Sequence, residues 1–242
     1  MEWISTRNII ISLVVGLVTY ALVQILFPAS APLGNQTHTI SNQKIVIMPV
    51  SGVPTTFLTA LKKSLESQHN IGVLVTTAIG KGDEMLIPGK DQYNAGYLAS
   101  LGMQIGKSMG RPDAFFIVLT NEDINYPDSG LRFVYSAHYN GIAVVSLARI
   151  NELNFGVVPK LIEIPSIFLK MQERALKLIN KAIGYGVYDL DASSNINDVM
   201  YGPIMGIHDL DKAGSWYQKG LTNQSMSPTA GPPQASLAPA HY

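Results

Sequence analysis

Residues 133–150 read FVYSAHYNGIAVVSLARI. Two runs rich in β-branched and aromatic residues flank the pair Asn140-Gly141. An Asn-Gly pair between two such runs is a strong signal for a β-hairpin, because both residues tolerate the backbone angles of a tight turn. The sequence therefore predicts two strands, at 131–137 and 141–147, joined at this pair.

Buried strands and amphipathic helices alternate on both sides of this hairpin. Short, continuous apolar runs are typical of buried strands, and apolar residues spaced three and four apart are typical of helices. These patterns predict strands at 44–50, 71–76 and 114–120, and helices at 54–70, after a cap at Asp91, and at 166–183. The order β-α-β-α-β-β-β-α predicts an α/β (α+β) domain, with helices packed on a twisted mixed sheet.

An uncharged run precedes this domain at residues 8–27. Twenty helical residues span about 30 Å, the thickness of the hydrocarbon core of a bilayer. The run therefore predicts one transmembrane helix, preceded by residues 1–7, with membrane lipid as its partner. Arg7 favours a cytoplasmic N-terminus and an extracytoplasmic or periplasmic domain. The alternative is a cleaved signal peptide ending near residues 29–31, although the run exceeds a typical signal-peptide core.

Composition divides the rest of the chain and excludes several classes of function. Residues 28–43 are rich in Pro and Ser and predict a linker, 44–221 form the domain, and 222–242 predict a Pro-rich disordered tail. The 17 basic and 17 acidic residues include no basic run, which argues against nucleic acid as a partner. The absence of cysteine excludes disulfides, thiolate metal sites and thiol nucleophiles.

Isolated residues give no strong chemical signal. Ser146 lacks the Gly-x-Ser-x-Gly turn of a nucleophilic serine. The histidines are scattered, and none pairs with another ligand at helical spacing, so each is predicted to lie on the surface or in a hydrogen bond. They are His38, His69, His138, His208 and His241.

Four segments, taken in order, resemble the archaemetzincin family of zinc metalloproteases. They are 91–95 (DQYNA), 115–123 (FFIVLTNED), 133–150, and 198–212, which contains a Val-Met pair and a later Asp-x-Lys. The resemblance covers roughly residues 44–221. It implies a metzincin-like mixed sheet with a long helix that carries the zinc motif H-E-x-x-H-x-x-G-x-x-H.

The reactive positions of that motif do not carry over. Residues 179–189 read INKAIGYGVYD. The resemblance places Ile179, Ile183 and Asp189 at the three His positions, Asn180 at the catalytic Glu position and Gly186 at the glycine. Metzincin chemistry needs three ligands and a carboxylate base. We therefore expect no metal, no cofactor and no enzyme activity. The resemblance leaves structural roles for Gly186, at the helix end, and for Met200, in the family's Met-turn.

These expectations together favour a function in binding. The hypothesis is a membrane-anchored, catalytically inactive archaemetzincin-like protein that acts as an interaction subunit of a larger membrane complex, such as a respiratory or photosynthetic one. Its partner surface would be the strand that the resemblance places at the active-site edge: Gly141, Ile142, Ala143, Val144, Val145, Ser146 and Leu147. The alternatives are a peptide-binding module that does not cleave, or an unorthodox membrane-anchored metallopeptidase that uses Asp189 and remote histidines.

Overall fold

The computed structural model describes residues 45–127, 130–150 and 165–218. The predicted membrane span, the linker and the tail lie outside these residues. Within the described ranges, no helix is long and apolar enough to cross a bilayer.

The described residues form seven strands and four helices, with a short 3-10 turn at Asp83–Met85. The strands are β1 (Ile45–Pro49), β2 (Val73–Val75), β3 (Tyr93–Asn94), β4 (Phe115–Thr120), β5 (Ile124–Asn125), β6 (Ser136–Tyr139) and β7 (Ile142–Ser146). The helices are α1 (Thr55–His69), α2 (Ala95–Ser108), α3 (Pro165–Gly186) and α4 (Ile207–Lys212).

Five strands form one sheet in the order β2-β1-β4-β7-β6. The first four are mutually parallel, and β6 runs antiparallel to β7 at one edge. The prediction of a mixed sheet is therefore confirmed. All residues of β1 and β4 are buried, as expected for parallel strands covered by helices on both faces.

The sheet separates two layers of apolar side chains. Ile45 and Ile47 of β1 point to one face, where they join the cluster that includes side chains from α1 and α3. Val46 and Met48 point to the other face, where they join Leu98 of α2. This alternation follows from the period of two along a strand, and it fixes which helix covers which face.

The predicted hairpin is confirmed, but its first strand starts later than the pattern suggests. Tyr139 pairs with Ile142 across the turn, and Gly141 supplies the left-handed conformation there with φ 78°. Val134 instead forms a bridge with Ile124, next to the small sheet of β3 and β5. The chain before Tyr135 therefore leaves the main sheet.

The cap of α2 also differs from the expectation. Asn94, rather than Asp91, is the N-cap residue. Its Oδ1 accepts hydrogen bonds from the amides of Gly96 (3.0 Å) and Tyr97 (3.2 Å). Both residue types cap helices well, so the sequence pattern identified the helix but not which residue caps it.

Replacing Gly102 with Ala is expected to destabilise the fold by about 1–2 kcal/mol. An added Cβ would lie 2.6 Å from Ile142 Cδ1 and 2.7 Å from Val118 Cγ2, so overpacking outweighs the better helix propensity of Ala. Urea denaturation measures the change. The control is Gln104→Ala, on the exposed side of the same helix, which should stay within about 0.5 kcal/mol of the parent. A Gly102→Ala chain as stable as the parent would contradict the close packing.

Candidate functional site beneath the edge strand

The three positions that correspond to zinc-binding histidines do not meet in a polar site. Ile179 and Ile183 are completely buried in the apolar cluster between the sheet and its helices. Asp189 is exposed, with a left-handed φ of 51°. Among the described residues, no group of three or more His, Cys, Asp or Glu side chains could hold a metal ion. The side chains at these positions therefore do not fit the zinc ion that the resemblance implies.

Asn180, at the position of the catalytic Glu, ties three parts of the chain together. Its amide Nδ2 donates to Gln68 Oε1 (3.1 Å) and to the Ser215 carbonyl (3.3 Å). Its Oδ1 is therefore the acceptor that faces His69 Nε2 at 2.9 Å. The Asn180 carbonyl accepts a hydrogen bond from the Tyr217 hydroxyl at 2.6 Å. Every polar group of this side chain has a protein partner, so it cross-links α3, the end of α1 and the C-terminal segment.

The same geometry fixes the protonation of His69. Because Asn180 Oδ1 can only accept, Nε2 carries the proton and Nδ1 accepts from the Tyr188 hydroxyl at 2.8 Å. Burial lowers the pKa of His69 and raises that of Tyr188 to about 12. The rings of Trp216 and Tyr217 complete the enclosure, with centroids 5.1 and 6.4 Å from that of His69. The group of side chains around His69 is neutral and enclosed, so its role is structural.

Gly186 does not end α3 through an unusual backbone angle, because its φ is not in the left-handed region. The reason for glycine is steric: an added Cβ would lie 2.0 Å from Phe115 Cε2. Gly184 similarly admits the Met200 sulfur, which lies 2.3 Å from an added Cβ. Met200 is buried. The two glycines let α3 approach β4 on one side and the Met200 segment on the other.

The predicted partner strand is not the edge of the sheet. Residues 142–146 form β7, which pairs with β4 on one side and with β6 on the other, and Gly141 and Leu147 flank it. Backbone amides of β7 are therefore already engaged on both sides. The edge strand is β6, residues 136–139, which lies one strand further out than the predicted partner strand.

The ladder shows which groups of β6 remain open. The Ser146 amide donates to the Tyr135 carbonyl at 2.9 Å, which makes these two residues a hydrogen-bonded pair. Such pairs alternate along an antiparallel ladder, so Ala137 also bonds to β7. Ser136 and His138 then direct their backbone N–H and C=O groups outward. Within the described residues, no strand pairs with that side.

Three side chains lie beneath this edge, on the face that α3 covers. The His138 ring packs on the Tyr185 ring with centroids 4.9 Å apart, and Lys181 Nζ lies 6.0 Å from the same Tyr185 ring. Lys181 donates to the Tyr201 carbonyl at 2.5 Å. Burial lowers the pKa of Lys181 to about 8, against the attraction of the Asp198 carboxylate. This cationic, half-buried cluster beneath an open strand edge is the candidate functional site.

His138 contributes an unusual feature to the cluster. Its Nε2 lies 3.0 Å from Ser136 Oγ, but its Nδ1 is buried without a hydrogen-bond partner among the described residues. Burial, and to a lesser extent the positive charge of Lys181, lower the pKa of His138 to about 4. The ring is therefore neutral near pH 7, and one of its nitrogens has no hydrogen-bond partner among the described residues.

Three solved structures are similar in fold to this chain. Archaemetzincin from Archaeoglobus fulgidus, complexed with malonate, is 23% identical with a TM-score of 0.55, and the match covers 74% of this chain and 98% of that one. Archaemetzincin from Methanopyrus kandleri is 18% identical, TM-score 0.57, covering 74% and 91%. The zinc-dependent peptidase from Methanocorpusculum labreanum is 18% identical, TM-score 0.58, covering 73% and 97%.

The domain has an archaemetzincin-like fold. The resemblance seen in the four sequence segments is thereby confirmed at the level of fold. No family model matches the sequence, and no curated protein matches it.

The comparisons contradict the prediction that the chain is not an enzyme. One of the similar structures is a zinc-dependent peptidase and the other two are archaemetzincins. That prediction rested on residues 179–189 alone. It is wrong as a conclusion about activity, because the residues at the zinc-motif positions describe that motif alone and not the rest of the domain.

Sequence reasoning found some parts of the site and missed others. It favoured a surface or hydrogen-bonded position for every histidine, and His69 and His138 are hydrogen-bonded. It missed Lys181 and Tyr185. The sequence feature that could have identified them is their spacing. They lie four residues apart within residues 179–189, and therefore share one face of α3.

Replacing Asn180 with Leu is expected to destabilise the fold by about 1–3 kcal/mol, because the His69 Nε2–H loses its acceptor in a buried place. A chain that also carries His69→Phe should be less destabilised than the sum of the two single changes, by at least about 0.5 kcal/mol. Urea denaturation of all four chains measures this coupling. Gln172→Leu, which removes a bond from α3 to Ser64 Oγ at a less buried place, is the control. Strict additivity would contradict the network.

Stability is expected to fall as the pH is lowered from about 6.5, the ordinary pKa of histidine, towards 4. The folded pKa values of His138 (about 4) and His69 lie below that ordinary value. The unfolded chain therefore binds more protons in this window, and protonation favours unfolding. Unfolding free energies at stepped pH measure the slope. His138→Gln should flatten it, and His208→Gln, at an exposed position, should not. A flat profile in the parent chain would contradict the two buried neutral rings.

Proposed function

We propose that the archaemetzincin-like domain binds an extended polypeptide segment as an added strand along β6, and that the chain does this beside a membrane as an interaction subunit of a larger complex. The observation that carries the proposal is the pair of outward-facing backbone groups at Ser136 and His138. Added strands gain affinity from such groups and specificity from the alternate side chains.

The surroundings of β6 support an added strand. Ser136 and His138 project their side chains towards α3, while Ala137 and Tyr139 belong to the cluster on the α2 side. A segment paired with β6 would place alternate side chains on these same two faces. On the α3 side they would approach Tyr185 and Lys181, so the bound segment has a defined environment and not only a row of amides.

The short length of β6 supports a specific partner over self-association. The strand has four residues, and short edge strands are one way in which proteins avoid uncontrolled edge-to-edge pairing. Four residues offer only two outward-facing positions. Affinity must therefore come in part from side-chain contacts, which select the partner.

The membrane part of the proposal rests on the uncharged run at residues 8–27. An anchor confines the domain near other membrane proteins and raises its effective concentration there. Alkaline extraction of native membranes, followed by gentle detergent solubilisation and sizing, tests this part. Release by alkali, or a protein that is always monomeric in detergent, would contradict it.

A second candidate function is peptide hydrolysis, which the similarity to a zinc-dependent peptidase favours. A peptide that pairs with β6 can be tested directly for cleavage. The peptides used for binding are incubated with the chain, with added Zn²⁺ or with a chelator, and analysed by mass spectrometry. New fragments that require the chain would establish hydrolysis.

Ser136→Pro is expected to leave the fold intact and to weaken the binding of extended peptides at least about tenfold, because the proline ring removes the outward N–H and blocks strand approach. Fluorescence anisotropy of labelled, β-prone decapeptides with the full-length chain measures the affinity. The matched control is Ala137→Pro, which removes a ladder bond to β7 and should destabilise the fold by about 3 kcal/mol. A folded Ser136→Pro chain with unchanged affinity would overturn the proposal.

A further inference from the structure

Lys181 differs from Lys177, which also lies on α3, in the groups that its ammonium contacts. Lys177 is almost fully buried, but its ammonium donates to the carbonyls of Leu210 and Asp211 and pairs with Glu173 at 3.0 Å. Lys181 donates to one carbonyl, that of Tyr201, and in the part of the chain that the structure describes it forms no ion pair. An ammonium group has three N–H donors, so two remain for a ligand.

Two acidic residues lie near the cluster without neutralising it. Asp198 attracts Lys181, but Asp198 is buried and its Oδ1 accepts the Met200 amide at 2.9 Å. Burial raises the pKa of Tyr185, and the negative charge of Asp191 raises it further. The Asp191 side chain is exposed. Neither forms an ion pair with Lys181. The positive charge is thus partly withdrawn from water and lacks a directly bonded anion, which is a costly arrangement.

His138 is a second polar group beside Lys181. If the Ser136 hydroxyl donates to Nε2, the ring proton lies on Nδ1, which is buried and has no acceptor among the described residues. Lys181 and His138 contact the same ring, Tyr185. Lys181, with its unused donors, and His138, with a ring nitrogen that has no partner among the described residues, therefore border one aromatic side chain beneath the open edge of β6.

We propose that Lys181 binds a carboxylate group of the polypeptide segment that pairs with β6. The residue opposite His138 in an added strand would project to the α3 face, where Lys181 lies. A carboxylate there forms a charge-assisted hydrogen bond, which is stronger than a neutral one. The carboxylate is either an Asp or Glu side chain or the C-terminus of the segment. This inference rests on the proposed function, and the two measurements distinguish a failure of the carboxylate site from a failure of strand addition.

Four labelled decapeptides of one β-prone sequence, titrated against the full-length chain, provide the first measurement. One carries a central Glu and an amidated C-terminus, one a central Gln and a free C-terminus, one a central Gln and an amidated C-terminus, and one a central Lys and an amidated C-terminus. The peptide with the favoured carboxylate should bind about tenfold more tightly than the neutral peptide. The first two peptides distinguish a side chain from a C-terminus.

Variants assign the preference to Lys181. Lys181→Met should abolish the difference between the carboxylate and neutral peptides, and Lys181→Arg should retain it. The matched control is Lys107→Met, at an exposed position at the end of α2, on the other face of the sheet. Equal affinity of all four peptides for the parent chain would overturn the carboxylate inference while leaving strand addition in place.

A second measurement does not require any peptide to bind. Trace acetylation of the full-length chain, read by peptide mass spectrometry, gives the relative reactivity of each lysine with and without glutarate. Glutarate should lower the labelling of Lys181 about threefold or more, by pairing with the ammonium, and leave Lys107 unchanged. Protection without binding of any peptide would sustain the carboxylate site and overturn strand addition. If glutarate does not protect Lys181 and the chain shows no preference for carboxylate peptides, the proposed carboxylate site is overturned.

Discussion

The apolar face of α3, packed on the sheet, is the constraint on which the rest of the structure depends. Ala175, Ile179, Ala182 and Ile183 are fully buried there, and Gly186 lets the helix approach Phe115. Successive helical residues point about 100° apart. Once this face is fixed against the sheet, the directions of the neighbouring side chains follow, including those at the positions that the resemblance matches to the zinc motif.

The two flanks of α3 consequently have different characters. On one flank Asn180 has a protein partner for each polar group and lies beside His69, a neutral histidine that is enclosed by aromatic rings. That flank holds the domain together. On the other flank Lys181 retains unused donors and lies by the Tyr185 ring, which packs on His138 of the edge strand β6. A polar network that is complete stabilises, whereas one that is incomplete at a partly accessible place is where a ligand can contribute.

Much of the fold could be predicted from the sequence because its main signals are strong and local. The Asn140-Gly141 turn, the buried runs of β1 and β4 and the long stripe of α3 each persist over enough residues to be read. The short strands β3 and β5, of two residues each, carry no period and were missed. The edge strand was misplaced because β6 and β7 have similar patterns, and only the pairing of β7 with β4 decides which of them lies inside.

The site was harder to predict because its chemistry arises between elements. A comparison with the zinc motif directs attention to Ile179, Ile183 and Asp189, which here end up in the core or in solvent. Lys181 becomes significant only when α3 is placed beneath β6, since burial and the Tyr185 ring set its environment. Sequence alone shows which ligand positions of a motif have changed. It does not show which neighbouring side chain lies beneath the open edge of β6, because that depends on the rotation of the helix against the sheet.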